Sequence, residues 1–96
     1  MKIEEVTTDY QEVTIGAFTD VIIDLLNTQI TSVTITPTTT IATKLTIRPH
    51  NQIANNISIN IDLVKKDRST TSKYNLANNS ELKCIWNTST EKWYEI

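Results

Sequence analysis

The clearest pattern in the chain is an alternation of apolar and polar positions that runs from residue 53 to residue 63. Ile57, Ile59 and Ile61 fall on one face of an extended chain, whereas Ser58 and Asn60 fall on the other. Successive side chains of a β-strand point to opposite faces of the sheet. The pattern therefore predicts a long strand that is buried on one face.

Four shorter stretches carry the same period of two. Residues 33–36 and 41–47 predict two strands, and Pro37 with the threonines after it predicts the turn between them, because proline cannot donate to a central ladder. Residues 10–15 predict a further strand. Residues 2–6 predict a weaker one, since few of their positions are apolar.

Two segments do not show this alternation. Residues 18–27 fit either a helix of barely two turns or a strand buried on both faces, and three consecutive β-branched residues favour the strand. Residues 64–75 are the most polar part of the chain and are interpreted as a surface loop. Residues 49–52 and 78–80 are predicted to be turns in which asparagine adopts the left-handed conformation.

Composition supports a fold without helices. Threonine, isoleucine and asparagine dominate, and the 96 residues include one glycine, Gly16, and two prolines. Threonine and isoleucine favour a pleated surface. The expected fold is all-β: a small antiparallel β-sandwich or barrel of about seven or eight short strands in a single domain, residues 1–96, closing with a C-terminal hairpin.

The last fifteen residues predict that hairpin in detail. A four-residue loop, residues 88–91, would place Trp86 opposite Trp93 and Ile85 opposite Tyr94. One face would then be anchored in the core, and the other would need a second cover, either a loop of the same chain or another protein chain. The expected core anchors are Leu82, Cys84, Trp86 and Trp93, and the candidate partner interface is Ile85, Tyr94 and Ile96.

Charge and candidate chemistry mainly exclude functions. The net charge is −2, so nucleic acid is not an expected partner. The apolar runs are too short to span a membrane, and no secretory leader is recognised, so synthesis in a reducing cytoplasm is expected. His50 and Cys84 are single residues of their type, so neither a metal site within one chain nor an internal disulfide is expected. Without a catalytic pattern, neither an enzyme nor a cofactor is expected.

The closing stretch CIWNTSTEKWYEI resembles the ending of many small virion proteins of tailed bacteriophages, among them capsid decoration proteins. In that family the turn commonly holds Asp-Gly, where this chain has Thr-Ser-Thr-Glu, and Trp93 is the residue that maps by its position. The resemblance implies a non-enzymatic auxiliary protein on the capsid surface of the virion. Its implied partners are the major capsid protein or another virion protein and further copies of itself, for example in a trimer.

Two alternatives remain open at this level. The same resemblance covers head-fibre and tail-fibre or baseplate modules of the virion. Threonine-rich strand faces, together with Trp86, Trp93 and Tyr94 near the terminus, are also compatible with a carbohydrate-binding β-sandwich module, which would need exposed aromatic rings. The threonines concerned are Thr34, Thr36, Thr40 and Thr46.

Overall fold

The computed structural model describes residues 1–49, 56–77 and 79–96, and this part of the chain contains nine β-strands and no helix. The strands are β1 (Lys2–Val6), β2 (Gln11–Ile15), β3 (Asp20–Leu25), β4 (Ser32–Pro37), β5 (Lys44–Pro49), β6 (Ile57–Val64), β7 (Thr70–Leu76), β8 (Leu82–Asn87) and β9 (Lys92–Glu95). The all-β fold class is therefore confirmed.

The strands form one mixed sheet in the order β1-β3-β5-β8-β9-β6-β4-β2, with β7 on β6. The odd strands β1, β3 and β5 lie parallel to one another, and so do the even strands β2, β4 and β6. The hairpin of β8 and β9 connects the two halves, since β8 pairs with β5 and β9 pairs with β6. At the two ends of the order, β1 contacts β2, so the sheet is a nearly closed barrel.

The sheet contains both parallel and antiparallel pairs, whereas the sequence analysis predicted an antiparallel sheet. Five of the strand pairs are parallel and three are antiparallel. Short connections usually join antiparallel neighbours. Here each connection from β1 to β6 instead carries the chain to the other half of the sheet. Two successive strands of one half are therefore joined through a strand of the opposite half, and this allows them to lie parallel.

One hydrophobic cluster fills the barrel, with contributions from all nine strands. Its residues stack across neighbouring strands. Ile23, Ile47 and Leu82, for example, lie side by side on β3, β5 and β8 and are fully buried. Burying one such side chain contributes about 1.5–3 kcal/mol. The alternation read from the sequence thus identifies the inward faces correctly.

Most predicted strands are confirmed, including the interpretation of residues 18–27 as a strand, which is β3. The interpretation of residues 64–75 as a loop is wrong, because only the turn before Thr70 is irregular and the remainder forms β7. An edge strand can hold its place by backbone hydrogen bonds, and β7 contributes only Tyr74 and Leu76 to the core. The strand expected from residue 41 begins later, at Lys44.

Several sequence-based predictions lie outside the described residues. They concern His50, residues 50–52 of the predicted turn, Ile53 and Asn78, whereas Pro49, predicted to begin that turn, is the last residue of β5. Asn79, in the second predicted turn, has φ 60° and adopts the left-handed conformation expected there. The described part of the chain contains no helix of the length and hydrophobicity that a membrane span requires.

Candidate docking surface on the C-terminal hairpin

The hairpin of β8 and β9 has the predicted register. Trp86 lies opposite Trp93, and Ile85 lies opposite Tyr94. The two indole rings meet edge to face, with their centroids 5.2 Å apart and an interplanar angle of 61°. Such pairs contribute about 0.5–1.5 kcal/mol beyond their buried area. Because Trp93 also lies beside Leu63 of β6, the ring pair is at the junction of the two halves of the sheet.

The turn of this hairpin is built without glycine. The side-chain oxygen of Asn87 accepts hydrogen bonds from the backbone N–H groups of Ser89 at 2.9 Å and Thr90 at 3.0 Å. The N–H of Glu91 donates to the Asn87 carbonyl at 2.8 Å, and Glu91 has φ 56°. Glutamate therefore occupies a left-handed position that glycine would fill with less strain. The Asn87 side chain compensates by satisfying two backbone donors.

The four residues expected to anchor the hairpin all lie in the core. Leu82, Cys84 and Trp93 are fully buried, and Trp86 is 7% exposed. Burial raises the pKa of the Cys84 thiol far above its usual range, and the nearby charge of Glu95 raises it further. The thiol is consequently protonated and does not act as a nucleophile in the folded chain.

The three residues expected to face a partner lie on the opposite, outer side of the same hairpin. Ile85 is 37% exposed and Ile96 is 53% exposed, while Tyr94 is half-buried between them. The N–H of Ile96 donates to the Lys83 carbonyl at 3.0 Å, which extends the pairing of the two strands to the last residue. We call these three residues the hairpin surface.

Two depressions border the hairpin surface, and Trp86 and Thr88 line both of them. The first has a volume of about 310 Å³ and lies between Ala42, Tyr94 and the turn. The second, of about 210 Å³, is lined further by Thr39, Thr40 and Glu91. An apolar or aromatic side chain of a partner could enter the first depression beside Ile85 and Tyr94.

The loop of residues 38–43 contributes to both depressions, and the sequence analysis did not assign it to the site. It is held against the hairpin by a hydrogen bond from the Trp86 N–H to the Thr43 carbonyl at 2.9 Å. The buried hydroxyl groups of Thr39 and Thr43 are bonded at 2.8 Å. The run of threonines after Pro37 indicated a turn, but its contact with a hairpin more than forty residues away is a tertiary feature.

Charges lie at the margin of the hairpin surface. Lys83 forms an exposed ion pair with Glu81 at 3.8 Å, which adds little stability in water. Farther along the same outer face, the Arg48 Nε donates to Asp24 at 2.6 Å. This hydrogen bond and the negative charge of Asp24 raise the pKa of Arg48. Both pairs leave the centre of the surface apolar.

The opposite outer face, on the even strands, is polar. Thr34 and Thr36 of β4 lie beside Glu12 and Thr14 of β2. On the other side of β4, the Asn60 amide donates to Ser32 Oγ at 3.1 Å and to Thr34 Oγ1 at 3.2 Å. This face of β2, β4 and β6 is a hydrogen-bonded polar surface.

The hairpin surface has features of a binding surface for another macromolecule. Within the described ranges, no group of three or more histidine, cysteine, aspartate or glutamate residues is placed to hold a metal ion. The hairpin surface offers apolar contact area, two shallow depressions and the exposed backbone of a turn. Such surfaces recognise other macromolecules through buried aromatic and aliphatic anchors.

Comparison with known proteins identifies the fold but no family. No protein-family model and no curated protein matches the chain. A solved structure described as "Structure of a chaperone-substrate complex" is similar, with a TM-score of 0.66 and 16% sequence identity. The match covers 86% of this chain and 14% of that chain, so the chain spans about one seventh of the length of that protein. At this identity the likeness concerns the fold alone.

Proposed function

We propose that this chain is a non-enzymatic structural protein of a tailed-bacteriophage virion, a decoration protein that docks on the capsid surface through Ile85, Tyr94 and Ile96. The observation that carries the proposal is the outward apolar surface of the C-terminal hairpin, on which Ile85 and Ile96 remain 37% and 53% exposed. The resemblance of residues 84–96 to the endings of such proteins supports the choice of a virion.

The exposure of these residues bears on what covers the outer face of the hairpin, because the sequence left open whether a loop of the same chain or another protein chain does so. A loop of the same chain would have buried them, yet within the described ranges they face outward. Clustered apolar and aromatic residues on an outer face are typical of protein interfaces. We therefore assign the cover to another protein chain, either a capsid protein or a further copy of this chain.

Self-association fits the size of the molecule. A chain of 96 residues with a single free cysteine has neither disulfides nor a large core to stabilise it. Association that buries the hairpin surface would stabilise the folded state by mass action. Such association would bury part of the hairpin surface, and the form that we propose is a homo-oligomer, for example a trimer, in which the rest of that surface docks on the major capsid protein.

A fibre module is the second candidate. The similar solved structure contains this fold as one seventh of a longer chain, which fits a module as well as a separate protein. Electron cryo-microscopy of the virion distinguishes the two, because a decoration protein covers the whole shell and a fibre occupies a few symmetric positions. A carbohydrate-binding module has less support, since Trp86 and Trp93 are buried and present no exposed stacking face.

The proposal is tested by co-sedimentation with capsids that lack the protein, combined with native mass spectrometry of the free chain. Tyr94→Ala should weaken capsid binding and self-association, while its free energy of unfolding changes by about 1 kcal/mol or less. Trp93→Ala should instead lower the free energy of unfolding by about 3–5 kcal/mol, because it empties a fully buried site. Chemical denaturation measures both changes.

Ile3→Ser is the matched control. Ile3 is 49% exposed on β1, at the far edge of the odd half of the sheet, and is separated from β9 by three strands. Its replacement should leave capsid binding unchanged. If Tyr94→Ala destabilises the fold as strongly as Trp93→Ala, or if the unmodified chain fails to sediment with capsids at any concentration, the proposal is wrong.

A further inference from the structure

Strand β7 lies at an edge of the sheet, because among the described strands it pairs with β6 alone. Its seven residues, Thr70–Leu76, give it the length of an ordinary strand. The unpaired N–H and C=O groups of an edge strand are a template on which another extended chain can pair. The function proposed above rests on the hairpin surface and does not use this edge.

The turn between β6 and β7 shows which backbone groups of β7 are unpaired. The Lys65 N–H donates to the Ser69 carbonyl at 2.7 Å, so these two residues form a hydrogen-bonded pair. Hydrogen-bonded and non-hydrogen-bonded pairs alternate along antiparallel strands. Val64 and Thr70, the next pair, are therefore not hydrogen-bonded to each other, and the N–H and C=O of Thr70 point away from β6.

The alternation continues along β7 through a β-bulge. Leu63 lies opposite Thr71 and Asn60 lies opposite Lys73, so the additional residue is on β6 and β7 keeps its period of two. At the bulge, the Thr71 hydroxyl donates to the Lys73 carbonyl at 2.8 Å and accepts from the Lys73 N–H at 3.1 Å. We call the outward backbone groups the β7 edge, and they belong to Thr70, Ser72, Tyr74 and Leu76.

The β7 edge is unoccupied within the described ranges. No backbone group of another described strand or turn bonds to it. The side chain of Ser72 is exposed, and that of Tyr74 is half-buried on the core side of the strand. A further strand could therefore approach Ser72 and Tyr74 from the side opposite β6.

Positive charge accompanies this edge. From residue 65 to residue 76 the chain has four basic residues and one acidic residue, Asp67, a net charge of +3 in a chain whose net charge is −2. The ion pairs of the described residues include none of these bases. The four bases are Lys65, Lys66 and Arg68 in the turn and Lys73 on the strand.

We propose that the β7 edge binds an extended segment of another protein that carries acidic side chains and adds to the sheet as a further strand. Backbone hydrogen bonds hold such a segment, and its side chains decide which segment is accepted. Opposite charges on neighbouring strands attract, so an acidic segment is favoured beside Lys73 and the basic turn. A second copy of β7 is disfavoured, because two segments of net charge +3 would lie side by side.

Amide hydrogen exchange of the full chain, followed by NMR, tests both the geometry and the partner. In the free chain the amides of Ser72 and Tyr74 should exchange faster than those of Thr71 and Asn75, which face β6. The probe is a capped heptapeptide in which threonine alternates with three glutamates. It should slow exchange at Ser72 and Tyr74, whereas the same peptide with lysine in place of glutamate should not at equal ionic strength.

Substitutions on β7 separate the two contributions to binding. Ser72→Pro removes an outward N–H and leaves the ladder to β6 intact, as proline does on edge strands. It should weaken binding of the glutamate peptide by about three- to tenfold, the effect of one lost backbone hydrogen bond and the bulk of the ring. Ser72→Ala keeps the N–H and is the matched control. Lys73→Gln should weaken binding by about two- to fivefold.

A modified peptide tests the backbone hydrogen bonds without any change to the protein. N-methylation of all its backbone amides keeps the three glutamates and removes the donors, so binding should fall at least as far as with Ser72→Pro. Unchanged tryptophan fluorescence of Ser72→Pro shows that its core is intact, since Trp86 and Trp93 are both buried.

Four results would overturn the inference. The first is slow exchange of Ser72 and Tyr74 in the free chain, and the second is equal binding of the glutamate and lysine peptides. The third is binding that neither N-methylation nor Ser72→Pro reduces. The fourth is self-association that Ser72→Pro abolishes in native mass spectrometry, which would assign the edge to a second copy. None of the peptide results bears on capsid docking, because Ser72 and Lys73 lie outside the hairpin surface.

Discussion

Asp9, in the connection between β1 and β2, shows how much of this fold rests on single polar residues. Its Oδ1 accepts hydrogen bonds from the N–H groups of Tyr10, Thr31 and Ser32 at 3.0, 2.7 and 3.1 Å, and both carboxylate oxygens accept from the Thr31 hydroxyl at 2.9 Å. The carboxylate therefore ties the first connection of the chain to the segment that leads into β4. These bonds, with that from the Thr31 N–H the strongest, lower the pKa of Asp9.

Asp9→Asn should reduce stability in a way that depends on pH. The pKa of Asp9 is lower in the folded chain than in the unfolded one, so its stabilising effect is complete above the unfolded value of about 4. The effect disappears as the pH falls through the lower folded value. Thermal unfolding midpoints should therefore differ between the unmodified chain and Asp9→Asn at pH 7, and the difference should shrink below about pH 4.

Asp20→Asn, which removes an exposed carboxylate at the start of β3, is the control for this series. Its midpoint should remain close to that of the unmodified chain at pH 7. A difference between the unmodified chain and Asp9→Asn that stays constant from pH 7 to pH 2 would contradict the role of the ionised carboxylate.

At the scale of elements, the hairpins carry backbone strain in non-glycine residues. Arg68 in the β6–β7 turn has φ 71° and Glu91 in the β8–β9 turn has φ 56°. The one glycine, Gly16, is not in the left-handed region, and a methyl group added to it would meet the Phe18 ring at an ordinary 3.6 Å. These two hairpins thus make their left-handed turns with side chains that disfavour that conformation.

Glu91→Gly should stabilise the hairpin and with it the whole fold. Relief of the left-handed strain outweighs the additional freedom of glycine in the unfolded chain, so we expect a gain of up to about 1 kcal/mol in the free energy of unfolding, measured by urea denaturation. Thr90→Gly is the matched control, because Thr90 has no positive φ and should lose stability. Loss of stability in both variants would show that Glu91 is not strained.

The elements also show what sequence patterns can and cannot predict. The register of the C-terminal hairpin was predictable because Trp86, Trp93, Ile85 and Tyr94 have a fixed parity around a four-residue loop. Strand β7 was not, because an edge strand needs few apolar positions and its sequence looks like that of a loop. The residues of the hairpin surface could be predicted from their odd or even positions along the two strands. The position of Ala42 beside that surface, in contrast, is known only from the folded structure.

At the scale of the whole molecule, each of the strands β1 to β6 is separated in the strand order from the strands next to it in the sequence within that set. β1 and β2 follow each other along the chain but occupy opposite ends of the strand order. The parallel pairs join segments 19 to 30 residues apart, as with Lys2 beside Val21 and Leu63 beside Trp93. Because of this non-local pairing, neither half of the sheet can form from one continuous segment of the chain. We therefore expect the barrel to unfold as one unit.

Cys84 provides a measurement of that cooperativity. The thiol is fully buried between Leu45 and Glu95, on the strands either side of β8. Its reaction with a thiol reagent such as Ellman's reagent should be negligible in the native chain and should increase with urea in parallel with global unfolding. Trp93→Ala should accelerate the reaction by increasing the open population, and Ile3→Ser should not.

Rapid labelling of Cys84 without denaturant would contradict cooperative unfolding of the barrel. Labelling that increases well before the loss of tertiary structure would instead show that the C-terminal hairpin opens separately. In either case β9 would be a weaker link between the two halves of the sheet than its buried position indicates.

The sequence alone determined which residues form most strands and which side of each strand is buried, because a period of two leaves a direct record in the order of apolar and polar residues. It also determined the face of the hairpin to which Ile85, Tyr94 and Ile96 belong. Only the tertiary structure decided which strands are neighbours and in which direction they run, because the same alternation serves parallel and antiparallel partners equally. The two depressions beside the hairpin surface likewise exist only after the loop of residues 38–43 and the C-terminal hairpin have come together.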